Sequence, residues 1–196
     1  MKSMSKSPIW FCVVIVALML QSCTVAYLQI QNGLKTNPSA EIRPECAVKF
    51  SVFVDDNPRL NTRVVQYKKE EIGQIRNAYI RATREVFTKQ GCTANYVEKD
   101  QDANFMIQVS ISEMWSALPQ EWLTGLSLGL IPSWGTRPGE YVFTFEDVET
   151  KKSHSYIVDK KSFNHLILFP IFWVTFITSN QIHIYKTALT NFIQSS

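Results

Sequence analysis

The chain has 196 residues, with 20 Lys and Arg against 17 Asp and Glu. That length suits one domain of ordinary size, and 45% hydrophobic with 19% charged residues exclude a disordered chain and a wholly membrane-embedded one. Lys2 and Lys6 stand ahead of every acidic residue; without residues 1–22, 18 basic residues face 17 acidic ones, too even a balance for a nucleic-acid surface.

The two lysines precede an unbroken apolar run at 9–20 (IWFCVVIVALML). About twelve residues match the apolar region of an export signal and fall short of the roughly twenty that a membrane-spanning helix needs. The segment ends Leu20-Gln21-Ser22-Cys23, which resembles the lipobox of bacterial lipoproteins, with a Leu, a small Ser and then the acceptor Cys. That resemblance implies a signal peptide over 1–22 and a diacylglycerol thioether on Cys23, with a further palmitate-like acyl chain on the freed amine. Two or more acyl chains make membrane anchoring stable. By the same resemblance, Thr24 in place of Asp after the cysteine implies the periplasmic face of a Gram-negative outer membrane. The competing reading is an uncleaved anchor helix that runs on to Leu28.

Residues 23–45 carry Asn32-Gly33, Pro38 and Pro44 without a periodic apolar face, and read as a lipidated tether. The folded envelope domain is then 46–196. Residues 47–54 (AVKFSVFV) are β-rich and partly alternating, a first strand, and Asp55-Asp56-Asn57-Pro58 stops it as a turn. Residues 68–90 form the best helix: Ile72, Ile75, Tyr79, Ala82 and Val86 share one face, with Lys68, Glu70, Arg76, Arg81 and Glu85 elsewhere. Gly91 supplies the left-handed position that ends many helices. Residues 92–98 read as a second strand. Residues 103–118 read as a third, antiparallel to it across the turn at Asp100-Gln101-Asp102, with Phe105, Ile107, Val109 and Ile111 on one buried face. Residues 140–148 and 154–163 form a hairpin around Glu149–Lys152. Tyr185, Leu189, Phe192 and Ile193 predict a C-terminal helix, although Ile182 and Ile184 also suit a strand.

The expected fold is therefore α+β: one mixed, mostly antiparallel sheet with the amphipathic helix 68–90 and a C-terminal helix on it. The strand-helix-strand-strand order over 47–118 resembles the small anticodon-binding-like domains of several envelope lipoproteins. Cys46 and Cys92 each open one of two parallel strands. If those strands are neighbours, their spacing permits a disulfide, which an oxidising periplasm would preserve; two separate buried thiols are the alternative.

Two apolar segments do not fit an ordinary loop: 122–134 (WLTGLSLGLIPSW) and 166–177 (LILFPIFWVTFI). The second is short for a membrane-spanning helix, and Pro170 would break a central strand. With the third strand antiparallel, both segments, the tether and the two cysteines fall at one end of the sheet. Trp122, Trp134, Phe169, Phe172 and Trp173 then either pack inward, dip into the membrane interface or meet a protein partner.

His154, His165 and His183 lie far apart without a metal-ligand spacing, no GxSxG marks a nucleophilic serine, and TGLSLG at 124–129 lacks the pattern of a phosphate cradle. No catalytic residue, metal ligand, cofactor or small-molecule substrate is assigned. The functional expectation is a non-enzymatic, lipid-anchored accessory protein that binds or stabilises a periplasmic or outer-membrane protein. The alternative is an immunity or inhibitor lipoprotein that neutralises a toxin or lytic enzyme.

Overall fold

A computed structural model describes residues 24–31, 46–55, 67–113, 118–127, 130–165, 168 and 180–195. Six strands form one mixed sheet: β1 (Thr24–Ile30), β2 (Ala47–Asp55), β3 (Thr93–Tyr96), β4 (Phe105–Ile111), β5 (Ser133–Asp147) and β6 (Lys152–Asn164), in the order β1-β6-β5-β4-β2-β3. Three helices are described, α1 (Lys69–Lys89), α2 (Pro119–Leu126) and α3 (Gln181–Gln194), with a 3-10 turn at Asp100–Asp102. The α+β class, the single mixed sheet and the C-terminal helix are as the sequence predicts. The chain divides into two compact units, one within Met1–Tyr27, Ala117–Thr136 and Lys161–Ser179, the other within Leu28–Ser116, Arg137–Lys160 and Asn180–Ser196.

The larger unit holds the core. Alternate residues Phe50, Val52 and Val54 of β2, Phe105, Ile107, Val109 and Ile111 of β4, and Tyr141, Phe143 and Phe145 of β5 are buried with one face of each of α1 and α3. Tyr79, Ala82, Val86 and Phe87 supply the inner face of α1, and Tyr185, Ala188, Leu189 and Phe192 that of α3. Both helices are capped by their own sequence. The Lys68 N–H donates to the Glu71 carboxylate at 2.8 Å, and the Asn180 carboxamide oxygen accepts from the N–H groups of Ile182 and His183.

The end of α1 sets up the disulfide. Gly91 lies at φ +80°, so its N–H reaches Thr88 O (3.1 Å) and that of Cys92 reaches Phe87 O (2.9 Å), satisfying the last carbonyls of the helix. The chain then enters β3 alongside β2, with Ala47 beside Thr93 and the Thr93 N–H on Cys46 O at 2.8 Å. Cys46 and Cys92 are thereby neighbours across parallel strands, disulfide-bonded with Cα atoms 4.6 Å apart.

Three expectations are corrected. Residues 24–30 form β1 at the sheet edge, where the sequence predicts a tether: Ala26, Leu28 and Ile30 are buried while Tyr27 and Gln29 are exposed, the period of a half-buried strand. Strand β4 is parallel to β2, with Phe50 beside Phe105 and Val54 beside Val109, so it does not pair with β3 in a hairpin. It is also shorter than expected, ending at Ile111. Because β4 runs parallel to β2, the chain leaves β4 at the end of that strand pair opposite to Cys46. The disulfide therefore does not share the end at which β4 stops, as an antiparallel β4 would require.

The β5–β6 hairpin is present, and β5 starts earlier than predicted, at Ser133. The Asp147 carboxylate accepts from the N–H groups of Glu149 and Thr150, and Lys151 adopts φ +54° in the turn.

The disulfide closes a long loop around α1, with Cys46 and Cys92 46 positions apart. Replacing both cysteines by serine is expected to lower unfolding free energy by about 2–4 kcal/mol. Urea titration checks this: a thiol reductant lowers the wild-type midpoint to that of the variant and leaves the variant unchanged.

Candidate functional site

Helix α2 is built with its polarity reversed. Thr124, 6% exposed, donates its hydroxyl to Ser133 Oγ on β5 at 2.6 Å, and Asn164 Nδ2 at the end of β6 donates to the same oxygen at 3.3 Å. Glu121, one turn earlier on the same face, accepts from the Ser162 hydroxyl at 2.6 Å and from the Leu118 N–H at 2.7 Å. Leu118 fills the space over Gly135, where an added Cβ would lie 2.3 Å from Leu118 Cδ1. The helix is thus held to the strands largely through hydroxyl, amide and carboxylate groups.

Its other side carries the apolar residues. Trp122, Leu123 and Leu126 are 63%, 55% and 79% exposed, and Leu130 and Ile131, after the helix, are exposed as well. Ser127 ties both to the helix end: its hydroxyl accepts the Ile131 N–H at 3.0 Å and its carbonyl accepts that of Leu130. Trp134 is also exposed, but it alternates along β5 with Ser133 and Gly135, which face α2, so it lies on the other face of the strand. The structure therefore exposes both tryptophans without bringing them onto one face. Cys23, Phe169, Phe172 and Trp173 lie outside the described residues.

The larger unit contains a cluster of ionisable groups that no sequence motif marks. Tyr67, just ahead of α1, and Tyr141 of β5 each donate a phenol hydrogen bond to one carboxylate oxygen of Glu113, two residues beyond β4. Burial, then the Glu113 carboxylate, raises both phenols above their ordinary range. Glu140 accepts from Lys160 Nζ at 3.0 Å through one oxygen, and its other oxygen is buried without a hydrogen-bond partner among the described residues. Burial outweighs the lysine and raises this carboxyl above the usual carboxylate value. Glu113 spends both oxygens on phenols that stay protonated, so the cluster works as a clamp between β4, β5 and the start of α1. Among the described residues, no three His, Cys, Asp or Glu side chains gather as metal ligands.

No family model and no curated protein matches this chain. Among solved structures it is similar to a point-variant PelC dodecamer from Paraburkholderia phytofirmans, at 8% identity over 80% of this chain and 100% of that one, with a TM-score of 0.31. A DUF4136 family protein from Bacteroides thetaiotaomicron VPI-5482 matches at 11% identity over 79% of this chain and 95% of that one, with a TM-score of 0.30.

Two outcomes follow from this geometry. Glu121→Ala leaves buried donors unmatched and is expected to cost about 1–3 kcal/mol, whereas Trp122→Ala is expected to stay within roughly 0.5 kcal/mol, as at an ordinary exposed site; chemical denaturation measures both. For Glu140, the raised carboxyl keeps a proton in the folded chain that the unfolded chain releases. Stability contributed at this site therefore falls as pH rises through the window above the usual carboxylate value. Denaturation of wild type and Glu140→Gln across roughly pH 4 to 7 is expected to show their difference moving against wild type as pH rises.

Proposed function

We propose that this protein is a non-enzymatic, lipid-anchored component of the bacterial envelope, which binds or stabilises a protein partner on the periplasmic side of the outer membrane. The observation that carries the envelope part of this reading is the reversed polarity of α2. A helix that turns Glu121 and Thr124 inward and Trp122, Leu123 and Leu126 outward is poorly suited to bulk water. Contiguous apolar surface of this kind marks a site that something else covers.

Three further features support it. The lipobox-like Leu20-Gln21-Ser22-Cys23 precedes β1 directly. The disulfide Cys46–Cys92 suits an oxidising compartment. The ionisable cluster around Glu113 is hydrogen-bonded inward, which is consistent with a structural role.

Metabolic labelling with a tagged fatty acid tests the anchor. The wild-type chain is expected to take up label and float with envelope membranes, and Cys23→Ser to do neither. A mature chain that keeps residues 1–22 or lacks acyl groups by intact mass overturns the reading. For the accessory role, cross-linked membranes run on native gels are expected to hold the protein in a defined complex; recovery as a lone monomer counts against that role.

A further inference from the structure

Strand β1, which begins one residue after Cys23, starts in the same small unit as the inverted helix, and the strand register sets their separation. The Gln31 N–H donates to Ile157 O at 2.9 Å, and its side chain to Asp159 at 2.7 Å. Residues 24–27 group with 161–164, while Leu28 onward groups with residues up to Lys160. Strand β1 therefore runs antiparallel to β6, and this register sets Thr24 beside Asn164. Asn164 bonds Ser133 of β5, which bonds Thr124 of α2.

Consecutive Cα atoms are about 3.8 Å apart, so acyl chains on Cys23 leave the protein one residue before β1. No flexible spacer separates them from the fold. Two strand spacings of about 4.8 Å and one helix of about 10 Å diameter then place the outer face of α2 within about 20 Å of Thr24, the residue that follows the anchor.

Resting on the lipid-anchor reading, we propose that the occupant of this face is the lipid bilayer itself: Trp122, Leu123, Leu126, Leu130 and Ile131 lie in the interface of the membrane that holds Cys23. A protein anchored without a spacer keeps the surface around its first strand at the headgroup level. The indole of Trp122 suits that level, with its apolar ring and one N–H donor. The leucines and Ile131 add apolar area at a depth that the short α2 reaches while lying along the surface, as interfacial helices do. No helix among the described residues is long and apolar enough to cross a membrane, and α2 does not need to cross. The acyl chains supply affinity, and the helix face fixes the orientation of its unit against the surface.

The test uses the full mature protein, with acylation verified by intact mass, reconstituted in phosphatidylethanolamine–phosphatidylglycerol vesicles with and without brominated phosphatidylcholine. Tryptophan emission is expected to be blue-shifted and quenched by the brominated lipid. Trp122→Phe is expected to lose a distinct share of that quenching, and Leu126→Glu to reduce it while the acyl anchor stays in place. Acylated wild type quenched no more than Trp122→Phe overturns the membrane contact and leaves the anchor reading standing; an occupant of protein would give that result. A chain without acyl groups overturns the anchor reading, and this inference with it. Near-ultraviolet circular dichroism of both variants, expected to match wild type, separates lost contact from lost fold.

Discussion

Aromatic packing between α1, α3 and the sheet is the interaction on which the larger unit depends. Tyr79 and Tyr185 meet edge to face at 4.8 Å, Tyr185 meets Phe143 at 5.3 Å, and Phe145 stands 5.7 Å from both Tyr185 and Phe192. Phe105 extends the chain of rings from Phe192 to Phe87. Edge-to-face pairs of this kind add about 0.5–1.5 kcal/mol each beyond the area they bury, and they fix the rotation of both helices. The Tyr185 hydroxyl needs a partner once buried, and Thr83 of α1 lies 2.5 Å away to serve as one. With the helices fixed, the end of α1 is fixed too, and with it the entry of Cys92 beside Cys46.

The two units solve burial in opposite ways. In the larger one, apolar residues are inside, and exposed charges such as Glu85 pair with Lys89 and Lys186 at the surface. Those lysines hold the Glu85 carboxyl below its usual value, although exposed pairs of this type add little stability. In the smaller unit, α2 meets the strands through hydrogen bonds that stabilise only when every partner is present. The apolar area that would ordinarily drive a helix onto a sheet is left outside. The local fold is therefore specified by polar geometry, and the outward face is free to be chosen by what it touches.

This contrast explains what is legible in the sequence. Helix α1 declares itself through Ile72, Ile75, Tyr79, Ala82 and Val86, and its end through Gly91, because helix periodicity and a left-handed glycine are local signals. Cys46 and Cys92 can be paired because each opens a strand flanking the same helix. Helix α2 escapes the apolar pattern because its apolar residues are the exposed ones; taken as a hydrophobic run, WLTGL points away from the side that packs. The useful signal is the polar set, Glu121 and Thr124 at helical spacing, with Ser133, Ser162 and Asn164 as distant partners that no local pattern reveals. Strand β1 does carry its own signal, the alternation of Ala26, Leu28 and Ile30, obscured by the Asn-Gly and prolines that follow it.

The direction of β4 has a physical cause in the shortness of β3. A hairpin is the usual result when a short connection such as 97–104 joins two strands, since a parallel return normally needs a crossover. Here β3 stops at Tyr96, beside Phe50, and β4 starts at Phe105, beside the same Phe50 on the other side of β2. No return along the sheet is required. The chain has only to step across one strand, about two strand spacings or roughly 10 Å, and residues 97–104 span that easily. Asn104 secures the landing: its N–H donates to Lys49 O while its side-chain oxygen accepts the Lys49 N–H at 2.8 Å. Its carboxamide nitrogen reaches Glu149 at 3.0 Å, and its carbonyl accepts from Val148. One asparagine thus joins β2, the start of β4 and the β5–β6 turn. Because Phe105, the next residue, stands beside both Phe50 and Asp147, the same contact sets the register of β4 against its parallel and its antiparallel neighbour at once. A polar side chain that the sequence places at the start of the third strand, with nothing local to mark its partners, therefore fixes where β4 begins once the short β3 has left the parallel direction open.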